Sequence, residues 1–182
     1  INLHPRHPHT SYAYYIKGLS SFTDDSGLFA RFLGSDLSKR DMDPAQSSFD
    51  DLSEFLSRYP ESKYAPHAKQ RMIYLRNLLA KHEMHVAGYY MERRAYLAAI
   101  GRAKYVIEHI PNTPQTPYAL SVLVEAYGML DYQELKESNL AVLKSNFPGF
   151  SIKEDSVSGK RSWVNVISLG FFGDKGIPAP DA

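Results

Sequence analysis

Residues 60–65 read Pro60-Glu61-Ser62-Lys63-Tyr64-Ala65, a phrase whose residue types stop one helix and start the next. Pro ends the preceding helix, and a Ser or Thr two residues later can accept a backbone N–H as the N-cap of the following helix. The phrase recurs with Thr in the capping position, as Pro8-His9-Thr10-Ser11-Tyr12-Ala13 and as Pro114-Gln115-Thr116-Pro117-Tyr118-Ala119. Three copies with the same Tyr-Ala continuation indicate an internal repeat and not three unrelated loops.

Amphipathic runs fill the sequence between these phrases, and the closing run of each repeat ends at Pro60, Pro111 or Pro148. The second closing run predicts one apolar stripe at helical spacing. Its members are Leu97, Ile100, Ala103, Val106, Ile107 and Ile110. The opening helices are predicted at residues 12–23, 64–93 and 117–130. Since no helix pair of this size can bury its own apolar stripe, we predict an all-α, tetratricopeptide-like solenoid of three stacked αα-hairpins.

The opening helix of the second hairpin is unusually long. Its apolar residues from Tyr64 to Arg93 step by alternating fours and threes, and no Pro interrupts the run after Pro66. This pattern predicts one continuous helix of roughly 45 Å at 1.5 Å per residue. The same hairpin fits the small and aromatic positions of the tetratricopeptide consensus. Those positions are Ala87, Tyr90, Tyr96, Ala99 and the closing Pro111.

The repeat pattern stops after Phe150, which divides the chain into a repeat region, residues 1–150, and a tail, Ser151–Ala182. The tail is polar at its start and rich in Gly and Pro near its end, so we expect it to be flexible. Within it, residues 163–172 are too apolar for an idle linker. Two interpretations stay open: this segment folds back onto the last hairpin, or it anchors a partner or a membrane surface.

Composition excludes several classes of function. The 182 residues carry 21 Lys and Arg against 20 Asp and Glu, so there is no basic field for nucleic acid. There is no Cys, which removes thiolate catalysis, cysteine zinc sites and disulfides. No apolar run approaches the ~20 residues that a membrane span needs. The 13 Tyr residues favour protein interfaces, because tyrosine is flat and amphipathic.

Candidate catalytic or metal-binding groups are few. His82 and His85 lie one helical turn apart, but no third ligand is evident, so we predict neither a metal, nor a cofactor, nor an enzyme activity. Glu92-Arg93-Arg94 has two interpretations: a solvated charge run, or guanidinium groups presented to a partner's carboxylates. The neighbouring Tyr89, Tyr90 and Tyr96 favour the second, since Arg with Tyr is the composition of interface hot spots.

Several stretches of the chain, in order from Ile1 to about Phe150, resemble the BamD family, the tetratricopeptide lipoproteins of the bacterial outer-membrane β-barrel assembly machine. They are Asn2–Pro8, Tyr15–Leu19, Arg40–Pro44, Arg58–Tyr64, Leu75–Glu83 and Ala87–Tyr96. Two features depart from the family pattern. Arg94 stands where a small residue is usual, and the tail around Trp163 is not shared by every member.

The resemblance implies a periplasmic scaffold held at the inner leaflet of the outer membrane by a lipidated amino-terminal Cys, which is absent here. This chain would then be the carboxy-terminal half, without the two repeats thought to receive unfolded barrel substrates. The implied role of this half is docking onto the membrane-proximal POTRA domain of BamA and onto accessory Bam lipoproteins. Arg102 matches the arginine that the family pairs with a glutamate of that POTRA domain, and Arg93, Tyr90 and Tyr96 are expected nearby.

Two other functions are alternatives to docking. A peptide-binding chaperone would grip unfolded outer-membrane protein segments in the groove of the solenoid. A hydrolase built on similar repeats is disfavoured, because the sequence offers no catalytic constellation. A simpler interpretation of Arg102 also stays open: it is a solvated residue of an amphipathic helix, one turn from the apolar Val106.

Overall fold

The computed structural model describes residues 1, 7–22 and 37–150. These residues form six α-helices that pack in successive pairs, with no strand among them. The helices are α1 (Thr10–Ser21), α2 (Asp43–Arg58), α3 (Ala65–Glu92), α4 (Tyr96–His109), α5 (Thr116–Met129) and α6 (Gln133–Asn146), with a short 3₁₀ turn at Leu37–Lys39. The predicted all-α class and tetratricopeptide-like hairpins are therefore confirmed. The tail, residues 151–182, lies outside the described residues.

The long opening helix of the second hairpin is also confirmed. Helix α3 runs unbroken through 28 residues, one residue shorter at each end than predicted. At 1.5 Å per residue it is about 42 Å long. Leu75, a member of the predicted apolar stripe, is fully buried along it, and so is Met84, which the stripe did not include.

The helix pairs α3–α4 and α5–α6 turn through links of the same length and geometry, residues 93–95 and 130–132. Arg94 has a positive φ of 58° and Asp131 one of 61°. At the first link, Arg94 N–H donates to the Met91 carbonyl and Ala95 N–H to the Tyr90 carbonyl, at 3.0 and 2.9 Å. The second link repeats this pattern, which is the Schellman motif that satisfies the last carbonyls of a helix. Arg94 therefore occupies the left-handed position where glycine is usual, and the helix end forms nonetheless.

The predicted N-caps need correction. Helix α1 begins at Thr10 itself, His9 occupies the cap position, and no side chain caps the helix. Thr116 is likewise the first residue of α5. The reason at α1 is a backbone turn, because Thr10 N–H donates to the His7 carbonyl at 2.9 Å. Ser62 comes closer to the prediction: its Oγ accepts from Tyr64 N–H at 3.4 Å in the turn before α3.

The described residues fall into two compact units. The first contains Ile1–His85 with Glu108–Gln115. Helices α1 and α2 cross there at Gly18, where an added Cβ would lie 2.6 Å from Cδ2 of the fully buried Leu52. Ser48 Oγ donates to the Gly18 carbonyl at 2.6 Å across the same crossing. This approach is possible because Gly18 has no side chain.

The second unit contains Val86–Ile107 and the chain from Thr116 onward. Its most buried element is α5, where eight residues are buried. At the end of the described chain, the Phe150 ring meets the Tyr118 ring edge-on, with centroids 5.0 Å apart. All five residues predicted to contact a partner lie in this unit, between Val86 and Ile107.

Candidate partner-binding surface

The predicted partner residues occupy the α3–α4 hairpin. Tyr89 and Tyr90 lie in the last turn of α3, Arg93 in the link, and Tyr96 and Arg102 on α4. Ring and cation contacts bring the first three together. Tyr96 and Arg102 lie on α4 of the same hairpin.

The Arg93 guanidinium lies over the Tyr89 ring, 4.3 Å from its centroid. Tyr89 in turn meets the Tyr90 ring edge-on at 5.8 Å. Tyr89 is 50% exposed, and Arg93 is exposed as well. A guanidinium held against an aromatic face keeps its donors available at the edge, where they can form two parallel hydrogen bonds to a carboxylate. The cluster therefore presents exposed hydrogen-bond donors that are suited to an acidic side chain.

Tyr90 and Tyr96 contribute mainly to the hairpin itself. Both are half-buried, and the Tyr90 carbonyl accepts the Ala95 N–H that closes the Schellman turn. Tyr96 is the first residue of α4. The cluster thus consists of an exposed pair, Tyr89 and Arg93, packed beside the half-buried Tyr90.

Helix α4 has one buried face and one exposed face. The buried face consists of Ala99, Ile100, Ala103 and Val106. Arg102 is exposed, at the edge of the opposite side. This position agrees both with partner binding and with a solvated residue.

The exposed face of α4 contains apolar residues that the sequence pattern placed elsewhere. Leu97 was predicted to belong to the apolar stripe, but it is 69% exposed. Three residues advance a helix by 300°, so Leu97 lies 60° from Ile100 on the side away from Ala103, about 120° from the centre of the buried face. Tyr105 is 41% exposed on the same side. Between them, Gly101 is open, since a Cβ added to it would meet nothing within 4 Å.

Between Glu92 and Glu108, the charges of this hairpin have one sign. From Arg93 to Ile107 the sequence contains four cationic residues and no Asp or Glu. They are Arg93, Arg94, Arg102 and Lys104. Although the whole chain is almost neutral, with a formal net charge of +1, this segment presents a local positive field. Such a field favours an acidic partner surface.

Comparison with known proteins identifies the relatives of this fold. The profile of the YfiO family, described as outer membrane lipoprotein, matches residues 1–143. This chain belongs to the YfiO family. It is 38% identical over 148 residues to outer membrane protein assembly factor BamD of Xylella fastidiosa (strain Temecula1 / ATCC 700964), covering 81% of this chain and 50% of the relative. The BamD proteins of Neisseria gonorrhoeae (40% over 146 residues, 80% of this chain and 55% of the relative) and Vibrio cholerae (31% over 144 residues, 79% and 60%) are also similar.

The YfiO family match confirms the resemblance inferred from sequence. It includes the whole α3–α4 hairpin, whereas residues 144–182 lie beyond the matched residues. The chain spans about half the length of the curated relatives it matches.

Two further features bear on what this YfiO chain can do. His82, half of the possible metal pair, is bonded through Nδ1 to the Ser38 carbonyl at 2.8 Å, which gives it a structural role. Within residues 1, 7–22 and 37–150, no three His, Cys, Asp or Glu side chains lie close enough to hold a metal ion. None of the described helices combines the length and the apolar character that a membrane span requires.

Proposed function

We propose that this chain is a non-enzymatic scaffold in outer-membrane protein assembly, and that its α3–α4 hairpin docks onto the periplasmic POTRA region of BamA. The relatives are outer membrane protein assembly factors, which supports the first part. The observation that supports the second is the Arg93 guanidinium held 4.3 Å from the centroid of an exposed tyrosine ring, on a hairpin segment without a carboxylate.

The proposed mechanism is rigid docking. The hairpin is built from two helices closed by a hydrogen-bonded turn, so little conformational entropy is lost when a partner binds. Arg102 pairs with a glutamate of the last POTRA domain, and the Arg93–Tyr89 pair receives a second acidic or polar group. Opposite charges steer the encounter, while the desolvated contacts determine how long the complex lasts.

We place the protein at the periplasmic face of the outer membrane, held there by a lipid anchor, with accessory Bam lipoproteins as further partners. The family description, outer membrane lipoprotein, supports this location. Fractionation of cells that express the full-length protein tests it. Recovery of the protein in the cytoplasm would contradict it.

The docking proposal is tested by reversing one charge. Arg102→Glu should lower the affinity for the isolated POTRA domains of BamA below detection, because breaking a partly buried interfacial ion pair costs about 2–5 kcal/mol. Calorimetry measures the binding, and circular dichroism should show unchanged helicity and melting. Lys144→Glu, the same reversal at an exposed position of α6, is the matched control and should bind normally.

Rescue sharpens this test. Replacing the partner's glutamate with Arg should restore binding to Arg102→Glu and weaken binding to the original chain. If folded Arg102→Glu binds the POTRA domains as tightly as the original chain, the interface lies on another surface.

A second candidate function, capture of unfolded outer-membrane protein segments, is favoured by an exposed aromatic group on α1. Tyr12 and Ile16 are 46% and 39% exposed, and the Tyr12 ring lies 5.3 Å from the Tyr64 ring. Titration with a fluorescent carboxy-terminal barrel peptide tests this function. Tyr12→Ala should weaken binding, whereas Tyr132→Ala, at a similarly exposed tyrosine, should not. A chain that docks onto BamA alone would not bind the peptide at all.

A further inference from the structure

The exposed face of α4 contains a slanting line of three residues, Leu97, Gly101 and Tyr105, each turned about 40° around the helix from the one before. Residues four apart are neighbours on one side of a helix, so Leu97 and Tyr105 flank Gly101 from the turn before and the turn after. Their Cα atoms are separated by about 12 Å along the helix axis, at 1.5 Å per residue. The line therefore consists of two exposed apolar side chains with a gap between them.

Nothing in the described fold explains why a glycine occupies that gap. A Cβ at position 101 would meet no atom within 4 Å, and Gly101 does not have a left-handed backbone. Glycine inside a helix is less stable than alanine, because it loses more backbone entropy on folding. Gly18 is the contrasting case, because Leu52 lies so close that there is no room for a Cβ at position 18. The glycine at position 101 lowers helix stability without easing any contact within the described chain.

The charges around the gap indicate what approaches it. Arg102 and Lys104 are exposed at opposite edges of this face, about 100° and 60° around the helix from Gly101. The segment from Arg93 to Ile107 contains no Asp or Glu, and Glu92 and Glu108 lie just beyond its two ends. A surface that combines exposed leucine and tyrosine with arginine has the composition of a protein interface.

We propose that Gly101 forms the floor of a notch, walled by Leu97 and Tyr105, which accepts one apolar side chain from a folded partner protein, with a carboxylate of the partner facing Arg102. This inference rests on the proposed docking of the α3–α4 hairpin and adds its steric determinant. The missing Cβ lets the partner approach the α4 backbone closely. The apolar walls then bury the inserted side chain, and Arg102 sets its register by pairing with the carboxylate.

The notch predicts an unusual combination: a substitution that leaves the fold intact and still weakens binding. In Gly101→Leu the new side chain fills the gap. Because a Cβ at position 101 meets no neighbouring atom, the melting temperature should stay the same or rise. Its affinity for the isolated POTRA domains should fall at least tenfold. Gly101→Ala should reduce affinity less, about threefold, because one methyl fills only part of the notch. Leu97→Ala removes a wall and should also weaken binding several-fold.

Gly149 offers a matched control. A Cβ added there likewise meets nothing within 4 Å, and the residue follows α6, outside the α3–α4 hairpin. Calorimetric titration of the 182-residue chain should show that Gly149→Leu binds as the original chain does. The complete set is then the original chain, Gly101→Ala, Gly101→Leu, Leu97→Ala, Arg102→Glu and Gly149→Leu.

The pattern of losses separates this inference from the proposed function. Loss of binding with Gly101→Leu and with Arg102→Glu, but not with Gly149→Leu, supports both. If Arg102→Glu fails to bind while Gly101→Leu binds normally, the docking surface stands and the notch is wrong. Normal binding by both variants overturns both, and so does an absence of binding by the original chain.

Discussion

The crossing of α1 and α2 and the exposed face of α4 each contain a glycine inside a helix, and the two glycines serve opposite purposes. At Gly18 the neighbouring helix is so close that an added Cβ would lie 2.6 Å from a Leu52 methyl carbon and 3.2 Å from the Leu52 backbone nitrogen. At Gly101 the same atom would meet nothing. The first glycine permits internal packing, whereas the second leaves room on the surface. A small residue in a helix therefore has to be interpreted from what lies opposite it.

The substitution with the largest expected effect breaks α3, the long helix that contributes residues to both compact units. Leu78→Pro interrupts α3 near its middle, where proline removes a hydrogen bond and clashes with the preceding turn, at a cost of about 3 kcal/mol or more. Leu78 is also buried, so Leu78→Ala is the control that isolates the loss of the side chain. Urea unfolding should place the Pro variant about 3 kcal/mol below the Ala variant. Equal stability of the two would contradict a continuous α3.

Gly18→Ala tests the packed side of the comparison. Leu52 is fully buried and cannot move away freely, so the extra methyl should overpack the crossing and destabilise the chain by about 1–3 kcal/mol. Chemical unfolding monitored by circular dichroism measures this loss. A variant as stable as the original chain would show that α2 can shift to accept the methyl.

Gly101→Ala tests the open side and should have the opposite sign. With no neighbour to displace, alanine should stabilise α4 by about 0.5–1 kcal/mol. The same unfolding measurement applies, so the two glycine variants control for each other. A destabilised Gly101→Ala would mean that some part of this chain packs against position 101.

The smallest effect concerns the charges beside Gly18. Lys17 Nζ lies 2.7 Å from Asp51 Oδ1, and Ser21 Oγ donates to Asp51 Oδ2 at 2.7 Å. Burial raises the pKa of the Asp51 carboxyl, but the hydrogen bonds from Lys17 and Ser21 outweigh it, so the pKa lies below its ordinary value of 3.8. A lowered pKa in the folded state stabilises the fold above the ordinary pKa, and this contribution is lost as the pH falls through the folded-state value.

Asp51→Asn should therefore lower the melting temperature slightly at pH 7, and the difference should shrink as the pH falls below 3.8. Asp50→Asn, at the exposed neighbouring position on α2, is the control and should have less effect at pH 7. A difference between Asp51→Asn and the original chain that is independent of pH would show that the pair does not contribute through its charge.

Local patterns in the sequence were sufficient for much of the fold. The stripe from Tyr64 to Arg93 predicted α3 to within one residue at each end, because an unbroken apolar periodicity without internal proline favours one helix whatever it packs against. The pairing of the helices was also predictable from the sequence, since the Pro-containing phrases mark where each pair ends. Thr10 was misplaced because a backbone turn from His7, which propensity does not reveal, opens α1 in place of a side-chain cap.

The candidate site was predictable only in part. Glu92-Arg93-Arg94 and the surrounding tyrosines indicated the hairpin, and the structure shows Arg93 lying over Tyr89. Leu97 was assigned to the buried stripe, and Gly101 and Tyr105 were not singled out. The helical period of 3.6 residues places Leu97 outside the buried face, because its angular position is far from the centre of the face formed by Ala99, Ala103 and Val106.

The sequence by itself determined which segments are helical, how they are paired and to which family the chain belongs. These properties depend on residue periodicity, on proline positions and on similarity along the chain, all of which are local or cumulative. Only the tertiary structure decided that Gly18 is closed in and Gly101 open, although each is a glycine inside an amphipathic helix. The physical reason is that the exposure of a helical residue depends on how close the neighbouring helix lies. Neither glycine's own sequence context specifies that distance.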